Sequence, residues 1–444
     1  MNVRELACRS LLTICKDDGY SNIVVSQTIE KNKLTDRDRR FYTELVYGTL
    51  RHVNYLDWII GQLSSRSLSR LDPLCLVIVR LGIYQIYQMD KVPESAACNE
   101  SVNLATKLGN SGMAKFVNAM LRGSIRRKSE FVIPAAEDDL VRHLSLTYHQ
   151  QEWLIKKWLQ WYGAADTLSL CRYFDGKPEL CLRTNTTVTT RQALMEKLRQ
   201  ADIACHEAVH SSEGIYLETN PGMRRLEQVV GKGAIVQDEP SQLVAHVVGP
   251  QPSDVIFDIC AAPGGKTTHL AALGGNKAVV YGCDIYEHKI KLIEDNARRL
   301  GLTNVRPLLQ DGMTIGDIYS ASADRVLVDA PCSGLGVLRH KLDLRWRKRP
   351  GDLRNLPQLQ LRLLTSAAKC VKPGGVLVYS TCTLNDGENG AVVDAFLKEH
   401  GDFTVVPIGS TLGFAQAGPY LQLLPQRDGL DGFFIAKMIK EGTP

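Results

Sequence analysis

The stretch VIFDICAAPGGKTTHL, Val255 to Leu270, passes from an apolar run through small residues into a helix-forming segment. Its first five residues suit a strand buried on both faces. Gly264 and Gly265 let the backbone approach a ligand, and the helix opening at Lys266 offers unpaired N–H groups to a carboxylate or phosphate. The same alternation continues downstream. AVVYGCDI precedes HKIKLIEDNARRLG; VRPLLQD and RVLVDA follow; LPQLQLRLLTSAAKCV then leads into GGVLVYSTC. This pattern predicts a Rossmann-like α/β domain over 233–444, with a mostly parallel sheet and its working site at the strand carboxyl ends.

Three ligands compete for the glycine turn. A P-loop needs a leading glycine where this chain has Cys260, and Pro263 removes an N–H from the cradle, although VLVDA imitates a Walker-B strand. A dinucleotide fold needs G-x-G-x-x-G, which is absent. The third ligand is S-adenosylmethionine. Asp284 closes the second strand, 19 residues after Gly265, where an acid can bind ribose hydroxyls. Asp311, after the third strand, is placed for the adenine amine. Each acid alone is equally well a turn or capping residue, but Asp284, Asp311 and Asp329 all end successive strands.

VLVDAPCSG (Val326 to Gly334) and VLVYSTC (Val376 to Cys382) each put a cysteine in a polar turn at a strand's end. Consecutive strands of such a sheet are usually neighbours, so Cys332 and Cys382 are expected to converge. Cys8, Cys15, Cys75, Cys283 and Cys370 read as small apolar fillers. A thiolate added to carbon 6 of a pyrimidine makes carbon 5 nucleophilic enough to accept a methyl group. Only a few per cent of an ordinary thiol is ionised near pH 7, and Lys266, if it leans across the site, would raise that fraction. One sulfur suffices for attack; the second is assigned to product release.

The rest of the chain is less specific. At 444 residues several domains are expected, and a net charge of +5 says little about partners. No apolar run approaches the ~18 residues of a membrane span, and the start lacks a secretory pattern. The twelve cysteines, none in C-x-x-C spacing, are expected to be reduced thiols of a cytosolic protein without a metal site. Residues 1–128 read as a bundle of roughly six helices ending in Arg122, Arg126, Arg127 and Lys128, a solvated or phosphate-contacting face. Residues 129–165 read as a linker and a helix whose Trp153, Trp158 and Trp161 are packing anchors rather than stacking platforms. Residues 166–232 read as a small α/β RNA-binding unit. Between Arg339 and Arg349 lie six Lys or Arg and Trp346, a candidate phosphate-contacting loop in which Trp346 either packs or stacks on a base.

CAAPGGKT, DAPCSGLG and YSTCTLNDGEN resemble the motifs of the RNA cytosine-5 methyltransferase family, the NOL1/NOP2/Sun group. FYTELVYGTLRH and KFVNAMLRGSI are similar to the NusB-like domain of its ribosomal branch, so the resemblance covers nearly the whole chain. It implies an S-adenosylmethionine-dependent enzyme acting on a cytidine of 16S rRNA. Because the target base must leave its stack, naked or partly assembled rRNA is the expected substrate, and with no exposed apolar repeat in the sequence a monomer is expected. Carried over by position, it makes Cys382 the nucleophile and Cys332 the aid to product release, with Cys332 the alternative nucleophile. It places the cofactor on Cys260, Ala261, Ala262, Pro263, Gly264, Gly265, Lys266, Asp284, Asp311 and Asp329, with Asp329 also facing the cytosine. Where many relatives read Glu-Asn-Glu, this chain has Glu388, Asn389 and Gly390. Methylation of tRNA or another rRNA site needs the same core, and a non-catalytic RNA-binding or antitermination factor is the alternative from another class.

Overall fold

The computed structural model describes residues 2–17, 19–416 and 418–442. The chain divides into two compact units, Met1–Lys177 with Leu338–Lys348, and Pro178–Val337 with Arg349–Pro444.

The first unit begins with seven α-helices among the described residues: Val3–Lys16, Ser21–Asn32, Asp36–Arg51, Val53–Leu63, Pro73–Gln88, Glu94–Leu108 and Ser111–Arg126. Asn2, Thr35, Asp72 and Asn110 cap four of them by accepting first-turn N–H groups. Helix Pro73–Gln88 buries Val77, Ile78, Val79, Leu81 and Ile83 around its circumference, as a helix enclosed by others does. One more helix forms than the apolar spacing predicts. RRFYTELVYGTLRHVNYLDWIIGQL keeps one periodicity, yet the backbone breaks at His52, whose ring Nδ1 sits 2.7 Å from the carbonyl of Gly48.

Helices Leu140–Thr147 and Glu152–Asp175 follow, the latter kinked at Gly163, so the expected boundary at 165/166 falls inside a helix. Trp158 is fully buried and stacks on Phe174 with centroids 5.5 Å apart, a packing anchor as expected.

Part of the basic segment, a candidate for phosphate contact, is instead engaged within its own unit, while Lys341 and Arg349 are exposed. Arg345 is 1% exposed and donates to the carbonyls of His149 (3.1 Å) and Phe174 (2.8 Å). Trp346 Nε1 donates to Leu50 O at 2.5 Å, and Arg347 to the carbonyls of Ile14 and Gly19. The Arg339 guanidinium lies over the Tyr173 ring at 4.2 Å. These groups answer carbonyls and rings of their own unit, which is what a cation in a low-dielectric setting requires. Burial pushes the Arg345 guanidinium down to about 9, with Arg51 adding to the effect.

The second unit opens with a small sheet. Strands β1 (Leu180–Thr184), β2 (Cys205–Glu207), β3 (Gly214–Leu217) and β4 (Ala234–Val236) run antiparallel in the order β2-β3-β1-β4. Helices Arg191–Gln200 and Met223–Val230 cover it, burying Leu194, Leu198 and Leu226 against Leu182 and Ile215. Thr190 caps the first of these helices, its side chain accepting from the Ala193 N–H.

The larger sheet contains β5 (Val255–Ile259), β6 (Val279–Asp284), β7 (Val305–Leu309), β8 (Ala323–Asp329), β9 (Val371–Thr381), β10 (Phe403–Val406), β11 (Leu421–Leu423) and β12 (Phe433–Lys440). Its order is β10-β12-β9-β8-β5-β6-β7, with β11 paired to β12. Strands β5 to β9 are parallel, and β10, β11 and β12 pair antiparallel. The chain steps outward from β5 through β6 to β7, then returns to lay β8 on the other side of β5. Such a switch point opens a crevice at the strand carboxyl ends. No helix among the described residues is long and apolar enough to cross a membrane.

Candidate active site

The turn after β5 has the conformation its composition predicts. Gly264 sits at φ +98, where a Cβ would come within 3.1 Å of Ile293 Cα. The helix then starts at Gly265, one residue earlier than expected, and runs to Leu273. Its first turn points N–H groups toward the strand ends. Cys260 holds φ 64, and burial pushes its thiol up to about 12, with the carboxylates of Asp284 and Asp329 adding to the effect. Burial thus favours the protonated form of this thiol.

The carboxylates line the same edge. Asp284, 5% exposed, accepts from the Tyr286 N–H at 3.2 Å and lies 3.4 Å from Lys289 Nζ. Asp311 accepts from the Met313 N–H at 2.9 Å. Both contacts leave acceptor capacity, since a carboxylate takes about four hydrogen bonds. Within β5, Asp258 is fully buried; one oxygen accepts from Thr267 Oγ1 at 2.6 Å and the other has no partner. Burial raises this carboxyl to about 7. Free helix N–H groups beside acids with spare lone pairs fit a ligand carrying both a carboxylate and a hydroxylated sugar.

Strand pairing brings the thiols together. β8 and β9 are adjacent, with Asp329 opposite Ser380, and the turns beyond them place Cys332 Sγ 3.4 Å from Cys382 Sγ. Both residues are half-buried. The hydrogen bond to Cys382 holds the Cys332 thiol well above its ordinary range, and burial and the nearby charge of Glu388 push the same way. Lys266 reaches the carboxylate that ends β8. Its Nζ is 2.7 Å from Asp329 Oδ2, while Ser380 Oγ donates to Asp329 Oδ1 at 2.8 Å.

Glu388 and Asn389 are both fully buried. Asn389 accepts from Thr381 Oγ1 (2.6 Å) and donates to Thr383 O (3.0 Å) and Gln422 Oε1 (2.8 Å). Gly390 starts the next helix, and a Cβ there would lie 3.0 Å from Asp386 Oδ1, so an acidic side chain would meet a carboxylate already in place.

One residue of the site had little sequence signal. Arg183, on β1, is 1% exposed and donates to Gln237 Oε1, to Gly265 O at 2.5 Å and to Thr268 Oγ1 at 3.0 Å. It thereby ties the small sheet to the first turn of the glycine-loop helix. A single arginine inside an otherwise apolar strand was the only trace of this role. A cavity of about 270 Å³ lies against the same loop, lined by Leu182, Val230, Ile235, Pro263, Gly265 and Arg299, away from both thiols.

Comparison with known proteins agrees with this layout. Residues 1–126 match the NusB family, 150–224 the Methyltr_RsmF/B-like ferredoxin-like domain, and 245–439 the family described as 16S rRNA methyltransferase RsmB/F. A probable ribosomal RNA small subunit methyltransferase B of Bacillus subtilis is 37% identical over 450 residues, 99% of each chain. The crystal structure of PH0851 has a TM-score of 0.86 at 25% identity, covering 98% of this chain and 99% of that one. A methyltransferase homolog from Pyrococcus horikoshii has a TM-score of 0.59 at 26% identity, over 68% of this chain and 99% of its own. With likeness of this depth running from end to end, the chain belongs to the ribosomal RNA small subunit methyltransferase B family.

Proposed function

We propose that this chain methylates carbon 5 of a cytidine in 16S rRNA through a covalent bond between Cys382 and the base. The observation that carries the reading is the 3.4 Å separation of Cys332 and Cys382 sulfurs at the ends of adjacent parallel strands. S-adenosylmethionine supplies an electrophilic methyl group. The loop from Cys260 to Lys266 would hold the donor together with Asp284 and Asp311, and Asp329 would face both the donor and the cytosine.

Cys382 sulfur adds to carbon 6 of the ring, and the electron density displaced to carbon 5 lets that atom take the methyl. Cys332, which keeps its proton, donates to the Cys382 sulfur and stabilises it both as attacking and as leaving thiolate. A base then takes the carbon 5 proton, the electrons of that bond re-form the ring double bond, and the carbon 6–sulfur bond breaks to release Cys382 as the thiolate. Lys266 and Ser380 fix the Asp329 carboxylate by both oxygens, leaving lone pairs for the base's amino edge.

The target base must leave its stack, which costs a few kcal/mol when paired and less in a loop. Free or partly assembled 16S rRNA therefore suits the site better than a finished subunit. The test is incubation of purified protein with protein-free 16S rRNA and methyl-labelled S-adenosylmethionine, followed by nucleoside analysis. Label in 5-methylcytidine at a single position is expected; label in any other nucleoside would overturn the assignment.

A further inference from the structure

The two cysteine turns are joined by a carboxylate that touches neither sulfur. Glu388 Oε2 accepts from the Ser333 N–H (2.8 Å) and Gln360 Nε2 (3.0 Å), and Oε1 accepts from Ser333 Oγ (2.5 Å) and Asn385 Nδ2 (3.0 Å). Ser333 follows Cys332 directly, and its hydroxyl also lies 2.6 Å from Thr383 Oγ1, the residue after Cys382. Gln360 donates in addition to Pro331 O at 3.0 Å, on the other side of Cys332. Ser333, Gln360, Thr383 and Glu388 are all fully buried.

Every partner of the Glu388 carboxylate donates, so the site is built for a group that only accepts, through two oxygens at once. A buried carboxylate without such partners would be strongly unfavourable; with four it fixes the segments that supply them. We propose that Glu388 is a positioning residue that clamps the Cys332 turn to the Cys382 turn and so holds the two thiols in register for thiol-to-base chemistry. This deepens the cytosine reading above and rests on it. The charge of Glu388 also works against ionisation of Cys332. The titratable groups bearing on that sulfur are Cys382, Glu388 and Tyr379.

The test uses full-length Glu388→Gln, which keeps the shape but turns an amide NH₂ toward donors, and Ser333→Ala, which removes only the hydroxyl. Iodoacetamide labelling of Cys332 and Cys382 is followed against pH without RNA, and turnover is measured on 16S rRNA. For Glu388→Gln, kcat is expected to fall roughly 100-fold, the loss typical of a reacting group displaced by about 1 Å. KM for RNA and donor should stay within about threefold, because binding groups are untouched. Loss of the carboxylate charge should move Cys332 labelling to lower pH. Ser333→Ala should lower kcat in the same sense, which keeps the clamp testable if Glu388→Gln misfolds. Labelling profiles of both variants that overlay the parent, with kcat within about threefold, would overturn the proposal. If the parent itself forms no Cys382-dependent adduct with 5-fluorocytidine-substituted 16S rRNA, the cytosine reading fails instead. The labelling profiles still decide the clamp, since they are read on the thiols alone.

Discussion

Lys266 Nζ lies 2.7 Å from Asp329 Oδ2, joining the first turn of the glycine-loop helix to the end of β8. The pair sits where the donor loop and the thiol turns meet, so losing it should affect chemistry more than folding. Asp329→Asn is expected to lower single-turnover methylation about 100-fold or more, the scale of removing one oriented polar group from a reacting site. The thermal transition should move little. Turnover equal to the parent would remove Asp329 from the mechanism.

The thiols should differ in what their loss leaves behind. Cys382→Ala is expected to abolish both turnover and any RNA-linked band on a denaturing gel. Cys332→Ala should instead accumulate such a band, because release loses its proton-holding partner. The opposite pattern would exchange the two roles.

Asp258 makes stability depend on pH. Its folded value is raised from 3.8 to about 7 by burial, so between those values the native state binds more protons than the unfolded chain. Stability from this group therefore falls as pH rises from about 4 to 7 and stays low above that. Asp258→Asn should flatten this part of the profile and stabilise the protein at pH 8, by at most roughly 4 kcal/mol. Urea midpoints at pH 5 and pH 8 provide the check; an unchanged difference between them would rule the effect out.

Arg345 is expected to matter for folding and not for RNA affinity. Arg345→Met leaves the carbonyls of His149 and Phe174 without this donor and should destabilise the first unit by about 2–4 kcal/mol. The salt dependence of RNA binding should keep its slope. A slope reduced by about one would mean that the guanidinium reaches a phosphate.

The core of this enzyme could be read from the chain because parallel strands that alternate with helices leave a periodic mark, and neighbouring strands bring their ends together. That logic predicted the meeting of Cys332 and Cys382 from strand order alone. Three things escaped it. The break at His52 interrupts no apolar periodicity, since both flanking helices face the same core. Arg345, Trp346 and Arg347 look like a solvated basic run, because sequence shows charge but not the buried carbonyls that answer it. Arg183 and Glu388 bond to groups far along the chain, Gly265 and Ser333 among them, and no local spacing encodes those pairings.

The placement of Leu338–Lys348 within the first unit also has a consequence for biosynthesis. Residues 1–177 emerge from the ribosome long before Arg345, Trp346 and Arg347 are translated, so the carbonyls of Leu50, His149 and Phe174 await their donors in the nascent chain. Cys332 precedes Arg345 by only 13 residues. The amino-terminal half is therefore completed in the same interval of translation that delivers the first thiol turn, and an amino-terminal fragment expressed alone would lack its closing piece.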